Sequence, residues 1–522
     1  MKNTFLVACA VVAMGLMAAP TPRAASAAVE KAFAKFWSAS SPGDAEKAAA
    51  DIVKSGVSFD DALAAFKHGR TYPANPAKGV VRLSHMIAGT EFAYMVDVPK
   101  TYTPAKKYQV RVQLHGGVGR PDAAPRGNGI GALAGVEQIY ILPTAWADAE
   151  WWTDRQLQNL RWILDHVKRT YNVDENRVVL SGVSDGGTGT YYFSMRDTTP
   201  FASFLPLNGA IAVLRSSNVA LDGELYMQNL LNKPFFIVNG GRDPLYPTTL
   251  VEPYINQMKQ GGVELMYLPQ PDAVHNTVWW PEVKDTYETF VAAHPRNPYP
   301  DTLTWESDMT AGTNRAHWLV IDTLAPATTE SAKLPDMNDL VSASTEPSFG
   351  IRSNGTRVTA VTAGSNADRF GIKPGDVISA IGPRQIPPPV DIIELLAIYD
   401  PGTPLALTVV RGNATIELKG TYQPASASRV TSYFAHRRPS GRVDLVRTGN
   451  TVTATTRGVG SFTLLLSPDV FDFLAPVKVV VDGKTVHDGV VKQDLATLAR
   501  WAARDNDRTQ LFGAELKVNV PR

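Results

Sequence analysis

Apolar residues return every three to four positions between residues 28 and 70, where Val29, Phe33, Phe36, Ala62, Leu63 and Phe66 stand on polar backgrounds, and this spacing predicts helices. From Phe92 the pattern shifts to alternation. Tyr108–Leu114 reads as a strand running into His115-Gly116-Gly117, and a second apolar run, Ile139–Leu142, ends at Pro143. Between Asp154 and Tyr171 the side chains of Leu157, Leu160, Ile163, Leu164 and Val167 share one helical face, and the strand Arg177–Leu180 follows. Strand, helix, strand in this order implies parallel pairing through right-handed crossovers. The alternation continues through Phe204–Leu207, Phe235–Val238, a helix around Tyr254–Met258, Leu265–Leu268 and a helix after Trp280. It predicts a doubly wound α/β domain over residues 75–300, preceded by a helical appendage at 28–74.

Beyond the Pro-rich stretch 295–300 the pattern becomes short alternating strands, Thr302–Trp305 and His317–Ile321, resumed at Arg442–Val446, Thr451–Thr456, Phe462–Leu466 and Val477–Val481. A helix at Gln493–Asp505 and a strand at Leu516–Val520 close the chain. The first two strands are too few to form a sheet alone, so their partners are expected beyond residue 440. This gives a β-sandwich-like domain built from residues 301–330 and 428–522, interrupted by a compact unit at 346–422. Trp305, Trp318 and Trp501, at strand and helix spacings, read as core rather than as a sugar-binding surface.

A chain of 522 residues exceeds what one hydrophobic core organises, in keeping with several domains. Its 51 basic and 50 acidic side chains leave a net charge of +1, which excludes the electrostatic footprint of a nucleic-acid binder. Lys2, the apolar stretch Phe5–Ala19 and the small-residue site Ala25-Ser26-Ala27 have the form of a cleaved secretory signal over residues 1–27, which implies a periplasmic or secreted protein. The apolar run falls short of the ~20 residues that span a bilayer. Cys9, the single cysteine, follows Leu6-Val7-Ala8 in the manner of a lipoprotein box, but too little apolar sequence precedes it for lipidation to be expected. Cleavage would leave a chain without disulfides or thiol chemistry.

The candidate chemistry is nucleophilic. The strand ending at Leu180 leads into Gly182-Val-Ser184-Asp-Gly186-Gly187, a G-x-S-x-G sequence with a helix-competent segment behind it. In that context the turn is a nucleophile elbow, tight enough to strain the serine backbone and to present Ser184 Oγ at a helix N-terminus. A serine hydroxyl needs a base, and the base a carboxylate that fixes its tautomer. In elbow-bearing sheets the chain order is serine, acid, histidine. Asp243, after the strand Phe235–Val238, occupies the acid place, with Glu252 and Asp272 as substitutes. Of nine histidines, only His275 and His294 follow Asp243 within the α/β domain; His275 lies in a loop after a strand, whereas His294 ends a helix, where a cation has an electrostatic role. An acyl-transfer oxyanion needs N–H donors, expected from Asp185, the residue after the nucleophile, and from Gly116 and Gly117 at the end of the early strand. No cofactor is expected.

Residues 90–296 resemble the α/β-hydrolase superfamily, most of all its polyhydroxybutyrate depolymerase, feruloyl esterase and dienelactone hydrolase-like branch, through Leu114-His-Gly-Gly117, Ser181–Gly187, Asn239–Asp243 and His275. The resemblance implies a metal-free Ser184, Asp243, His275 triad but no particular ester, because substrate choice varies with the loops. Residues 346–422 resemble a PDZ domain of the bacterial envelope-protease type, through Ser348–Ile351, Val358–Val361, Ala363–Gly382 and a helix at Val390–Tyr399. Such a domain implies capture of a peptide C-terminus as an added strand, with Phe349, Gly350 and Ile351 at the carboxylate loop. No basic partner stands beside that loop in the sequence, so a purely structural PDZ fold is the other reading. The expected activity is an exported hydrolase of small or polymeric carboxylic esters acting through an acyl-enzyme on Ser184. A serine peptidase of prolyl-oligopeptidase type and a binding scaffold on a hydrolase fold are the alternatives.

Overall fold

The amphipathic segments at the start of the chain are three helices, α1 (Ala27–Trp37), α2 (Pro42–Lys54) and α3 (Phe59–His68), each opened by a serine, Ser26, Ser41 or Ser58, whose side chain accepts a first-turn N–H. Their apolar faces close over Leu498, Ala499 and Ala502 of the C-terminal helix, so the appendage is sealed by the far end of the chain. The computed structural model describes residues 26–120, 136–216, 219, 224–326, 334, 336–343, 349–386, 392, 399, 402–423 and 428–521. Residues 1–25 of the expected secretory signal, with Cys9, and most of the helix expected at Val390–Tyr399 lie outside the described residues, whereas Ser26 and Ala27 of that expected segment open α1.

An eight-stranded sheet follows. A hairpin of β1 (Gly79–Ile87) and β2 (Thr90–Val98) leads into β3 (Tyr108–Leu114), β4 (Ile139–Pro143), α4 (Asp154–Thr170), β5 (Val173–Val183) and α5 (Asp185–Arg196). Next come β6 (Phe204–Leu207), α6 (Ile211–Leu214), β7 (Phe235–Gly240), α7 (Thr248–Gln260), β8 (Leu265–Gln270) and α8 (Trp280–Ala293). The strand order is β1-β2-β4-β3-β5-β6-β7-β8, parallel from β4 to β8 and antiparallel in the first hairpin and where β2 meets β4. Consecutive side chains of the central strands point to opposite faces, and both faces are buried because helices cover each of them. Val178, Leu180, Phe235 and Ile237 pack with α4, α5 and α7, while Val179, Phe236 and Val238 pack under Trp280, Val283, Tyr287 and Phe290 of α8. This order and layering is the α/β-hydrolase sheet, and it brings the C-terminal ends of β3, β5, β7 and β8 to one edge.

After Tyr299 the chain enters β9 (Thr302–Ser307), β10 (Arg315–Ala316) and β11 (Leu319–Leu324). The strand expected at His317–Ile321 differs from the observed one: His317 and Trp318 form a two-residue hairpin turn between Ala316 and Leu319, with His317 at φ +50°. The turn carries neither Gly nor Asn, the usual residues there. Instead it is held by burial, because the indole of Trp318 packs into the sandwich core and donates to Pro300 O at 2.9 Å.

The next elements are β12 (Asp339–Ala343), β13 (Ile351–Asn354), β14 (Arg357–Val361), α9 (Asn366–Phe370), β15 (Val377–Ile381), β16 (Arg384–Gln385), β17 (Pro404–Arg411), β18 (Ala414–Thr421) and β19 (Ser428–Ser432). They are followed by β20 (Gly441–Thr448), β21 (Thr451–Arg457), β22 (Val459–Leu466), β23 (Val477–Val481), β24 (Lys484–Gly489), α10 (Leu495–Asp505) and β25 (Ala514–Asn519). The sheet β24-β23-β21-β20-β9 faces the sheet β10-β11-β22-β25 across a core that includes Trp305, Trp318, Phe462, Leu464 and Val479. Strands from both sides of the 346–422 unit therefore share each sheet. That unit has its own sheet, β13-β14-β15-β17-β18, and its own core around Phe349, Phe370 and Leu407. It is reached through a ribbon in which β12 runs out and β19 returns antiparallel, pairing Asp339 with Ser432 and Ala343 with Ser428. At the ribbon's base Asn338 Nδ2 donates to Phe434 O, Phe434 N donates to Asn338 Oδ1, both at 2.8 Å, and Met337 lies against α7, where its carbonyl accepts from Gln257.

Candidate active site

β5 ends at Val183, and α5 begins at Asp185, so Ser184 alone makes the turn, at φ 59° and ψ −123°. The strain is held from both sides: Ser184 N donates to Leu207 O at 2.9 Å, and Ser184 O accepts the helical N–H of Thr188 at 3.0 Å. The flanking glycines are there because backbone crosses backbone. A Cβ on Gly182 would run into the carbonyl of Gly186, and one on Gly186 into the carbonyl of Leu114.

His275 Nε2 lies 2.8 Å from Ser184 Oγ, and His275 Nδ1 lies 2.6 Å from Asp243 Oδ2. A carboxylate only accepts, so in the neutral ring Nδ1 carries the proton and Nε2 is left to accept from the serine hydroxyl. Asp243 is 1 % exposed, and its second oxygen accepts the N–H groups of Leu245 and Tyr246 at 2.8 and 3.0 Å. Both oxygens of Asp243 are thus engaged in hydrogen bonds. The acid and histidine loops approach closely because Gly240 and Gly241 carry no side chain; a Cβ on Gly240 would lie 2.7 Å from Ala273 O. Arg242 N also donates to Ala273 O, at 2.9 Å.

The other acid candidates stand elsewhere. Asp272 pairs with Arg242 at the surface at 3.0 Å, and Glu252, on α7, pairs with Arg384 of β16. His294 closes α8, where its ring bonds Phe290 O at 2.6 Å and Glu264 at 3.1 Å.

Gly116 lies against Ser184, so that an added Cβ would stand 2.7 Å from Ser184 Cβ and 3.3 Å from its Oγ. The loop is set by His115. Its Nε2 accepts from Ala145 N at 3.0 Å and from Arg120 at 2.9 Å, which leaves the proton on Nδ1 to be donated to Gly116 O at 2.8 Å. In a trans peptide this turns the N–H of Gly117 away from the imidazole, and Gly117 itself takes φ +69°. The N–H of Asp185, in the first turn of α5, has no intrahelical partner. Next to these donors the dipole of α5 favours negative charge.

Two residues of the site escape a motif reading. Asn208, at φ 47° just past β6, donates from its side chain to Asn276 O at 2.8 Å and so braces the loop of His275. A short polar residue directly after a strand is a signal for such a left-handed position. The rings of Tyr246 and His275 form a T-shaped pair, with centroids 5.5 Å apart and planes 77° from parallel. Burial foremost, then the Asp185 carboxylate it bonds, pushes its hydroxyl well above the ordinary tyrosine range, so it remains a donor.

In the 346–422 unit, Phe349 and Ile351 point into the unit's own core, and Gly350, at φ +74°, accepts Thr362 N–H through its carbonyl at 2.7 Å. β13 is the last strand of its sheet, and no described strand pairs with its outer side. Ser348 lies outside the described residues. Among the described residues no three His, Cys, Asp or Glu side chains converge to hold a metal ion.

Residues 357–411 match the family model described as PDZ domain. No curated protein matches the chain in sequence. Among solved structures it is similar to a thermostable esterase, at 20 % identity over 42 % of this chain and 63 % of that one, TM-score 0.34. It is also similar to an S-formylglutathione hydrolase from Staphylococcus aureus, at 17 % identity over 42 % and 99 % of the two chains, TM-score 0.33. An acylaminoacyl peptidase from Pyrococcus horikoshii is similar at 14 % identity over 41 % of each chain, TM-score 0.34.

Proposed function

We propose that this chain is a serine hydrolase that cleaves carboxylic esters through an acyl-enzyme on Ser184. The observation that carries the reading is the unbroken line of hydrogen bonds from Ser184 Oγ through both nitrogens of His275 to the buried Asp243. As Oγ attacks the ester carbonyl, its proton passes to Nε2, and the carboxylate of Asp243 stabilises the imidazolium that forms. The carbonyl oxygen becomes an oxyanion beside the N–H groups of Asp185 and of the Gly116-Gly117 loop. Collapse breaks the bond to the alcohol oxygen, which takes the proton back from Nε2 and leaves. Water then repeats the sequence against the acyl-enzyme, with His275 again as base, releasing the acid and restoring Ser184.

The PDZ match at 357–411 favours a second reading, a peptidase whose inserted domain holds a peptide end. The same constellation serves both, but an amine leaves only if Nε2 protonates it, whereas an alkoxide leaves more readily. In this proposal the β13 edge, with Phe349, Gly350 and Ile351, is a place for a peptide C-terminus, and the N-terminal signal pattern directs the protein to the periplasm or beyond. A fluorophosphonate probe separates catalyst from scaffold: it should label wild-type protein and not Ser184→Ala. Turnover of short p-nitrophenyl esters with none of aminoacyl amides is the result expected for an esterase; the reverse preference would replace it with the peptidase.

A further inference from the structure

Asp185 does more than offer its backbone N–H. Its carboxylate does not fold back onto α5, and Ser184, the N-cap, makes no side-chain cap either. Instead Oδ2 accepts Val118 N–H at 3.0 Å, from the loop after β3, and Oδ1 accepts Tyr246 O–H at 3.3 Å, from the loop after β7. Tyr246 in turn donates its own N–H to Asp243 and makes a T-shaped ring contact with His275. One carboxylate thus joins the three loops that supply the oxyanion donors, the nucleophile and the acid.

A negative charge beside an oxyanion site opposes the charge that develops there, and an aspartate at the start of a helix needs no such position to satisfy the dipole. What it gains here is two acceptors facing two donors on separate loops. Resting on the hydrolase reading, we propose that the Asp185 side chain is a positioning residue, which through Val118 and Tyr246 fixes the Gly116-Gly117 loop and the acid loop around Ser184. Loop donors act on the tetrahedral intermediate more than on bound ester, so the clamp belongs to kcat rather than KM.

The test compares Asp185→Ala, Asp185→Asn and Tyr246→Phe in the full chain with p-nitrophenyl acetate, each rate expressed per active site titrated by a fluorophosphonate at end point. Asp185→Ala should lose about 10- to 100-fold in kcat with KM changed by less than about threefold. Asparagine can accept from Val118 N–H and donate to the Tyr246 oxygen, so Asp185→Asn should recover about tenfold or more over alanine. Tyr246→Phe, which removes one arm only, should lie between wild type and Asp185→Ala. A packing role would lower melting temperature and titratable sites while leaving kcat per site unchanged, and that result overturns the clamp. Asparagine as impaired as alanine overturns it also. A wild-type protein whose Ser184 reacts with neither reagent overturns the hydrolase reading and the clamp together.

Discussion

The Cα of Gly116 faces the side chain of Ser184 so closely that a methyl group there would stand 2.7 Å from Ser184 Cβ. Gly116 does not need positive φ, so an alanine backbone is tolerated, and the clash falls first on Ser184, with the carbonyl of Val183 next at 3.1 Å. Gly116→Ala should keep its far-ultraviolet circular dichroism and lose about 100-fold or more in kcat/KM, because a small displacement of the reacting oxygen is costly. Gly182→Ala and Gly186→Ala, where the obstacle is backbone, should instead fail to yield folded protein. A fully active Gly116→Ala would show that the loop sits further from Ser184.

The acid assignment has a sharper check. Asp243→Asn keeps the volume but offers Nδ1 an amide that stabilises the wrong tautomer, and turnover should fall by about 10⁴. Asp272→Asn removes only a surface pair with Arg242 and should cost less than about twofold. Full activity in the first with loss in the second would move the acid.

These residues are legible in the sequence because each follows a strand end and the elbow is a local pattern. The fold class is legible for the same reason, since period-two and period-3.6 stretches alternate in chain order. Other features are set by partners remote in sequence. Phe33, Phe36 and Phe66 mark a buried face, but nothing in them shows that it closes on α10. The ribbon of β12 and β19 joins two short segments, Asp339–Ala343 and Ser428–Ser432, that only pairing makes regular. The clamp of Asp185, Val118 and Tyr246 links three loops that share no motif.

Stability should depend on pH through buried histidines. Burial, then the nearby Lys233 and Arg296, holds His317 well below its ordinary value, and burial lowers His85 and His166. A base depressed in the fold is neutral there, while the unfolded chain takes up the proton below about pH 6.5. Its stabilising effect is therefore complete above that pH and is lost as pH falls toward the folded value. Glu224 and Glu252, raised by burial, act in the opposite sense, so the diagnostic is a difference between variants. His317→Asn, a residue that accepts positive φ, should flatten the fall in stability between pH 7 and pH 5 by up to about 1.4 kcal/mol per pH unit. Parallel stability curves for variant and wild type by urea melts would refute it.

The inserted unit offers the last test. Ala343 and Ser428 pair at the outer end of the ribbon, so a two-residue Asn-Gly turn can replace residues 344–427 without separating the strands at its base. The two sheets of the sandwich are built from strands outside the deleted stretch, and the triad lies wholly before residue 300. The deletion variant should fold and hydrolyse a small soluble ester within about threefold of wild type, since that substrate needs only the base, the nucleophile and the oxyanion donors. A contact argues for the point variant as well. Glu252 on α7 is largely buried and pairs with Arg384, so Arg384→Ala in the full chain leaves a covered carboxylate without that partner. The deletion, by contrast, uncovers Glu252 to water. Arg384→Ala should therefore lower stability by about 1–3 kcal/mol, more than the deletion lowers that of the remaining domains. α7 begins just after the loop that carries Asp243, and a deletion variant that folds but loses turnover of the small ester would show that the inserted unit holds that loop in place through α7.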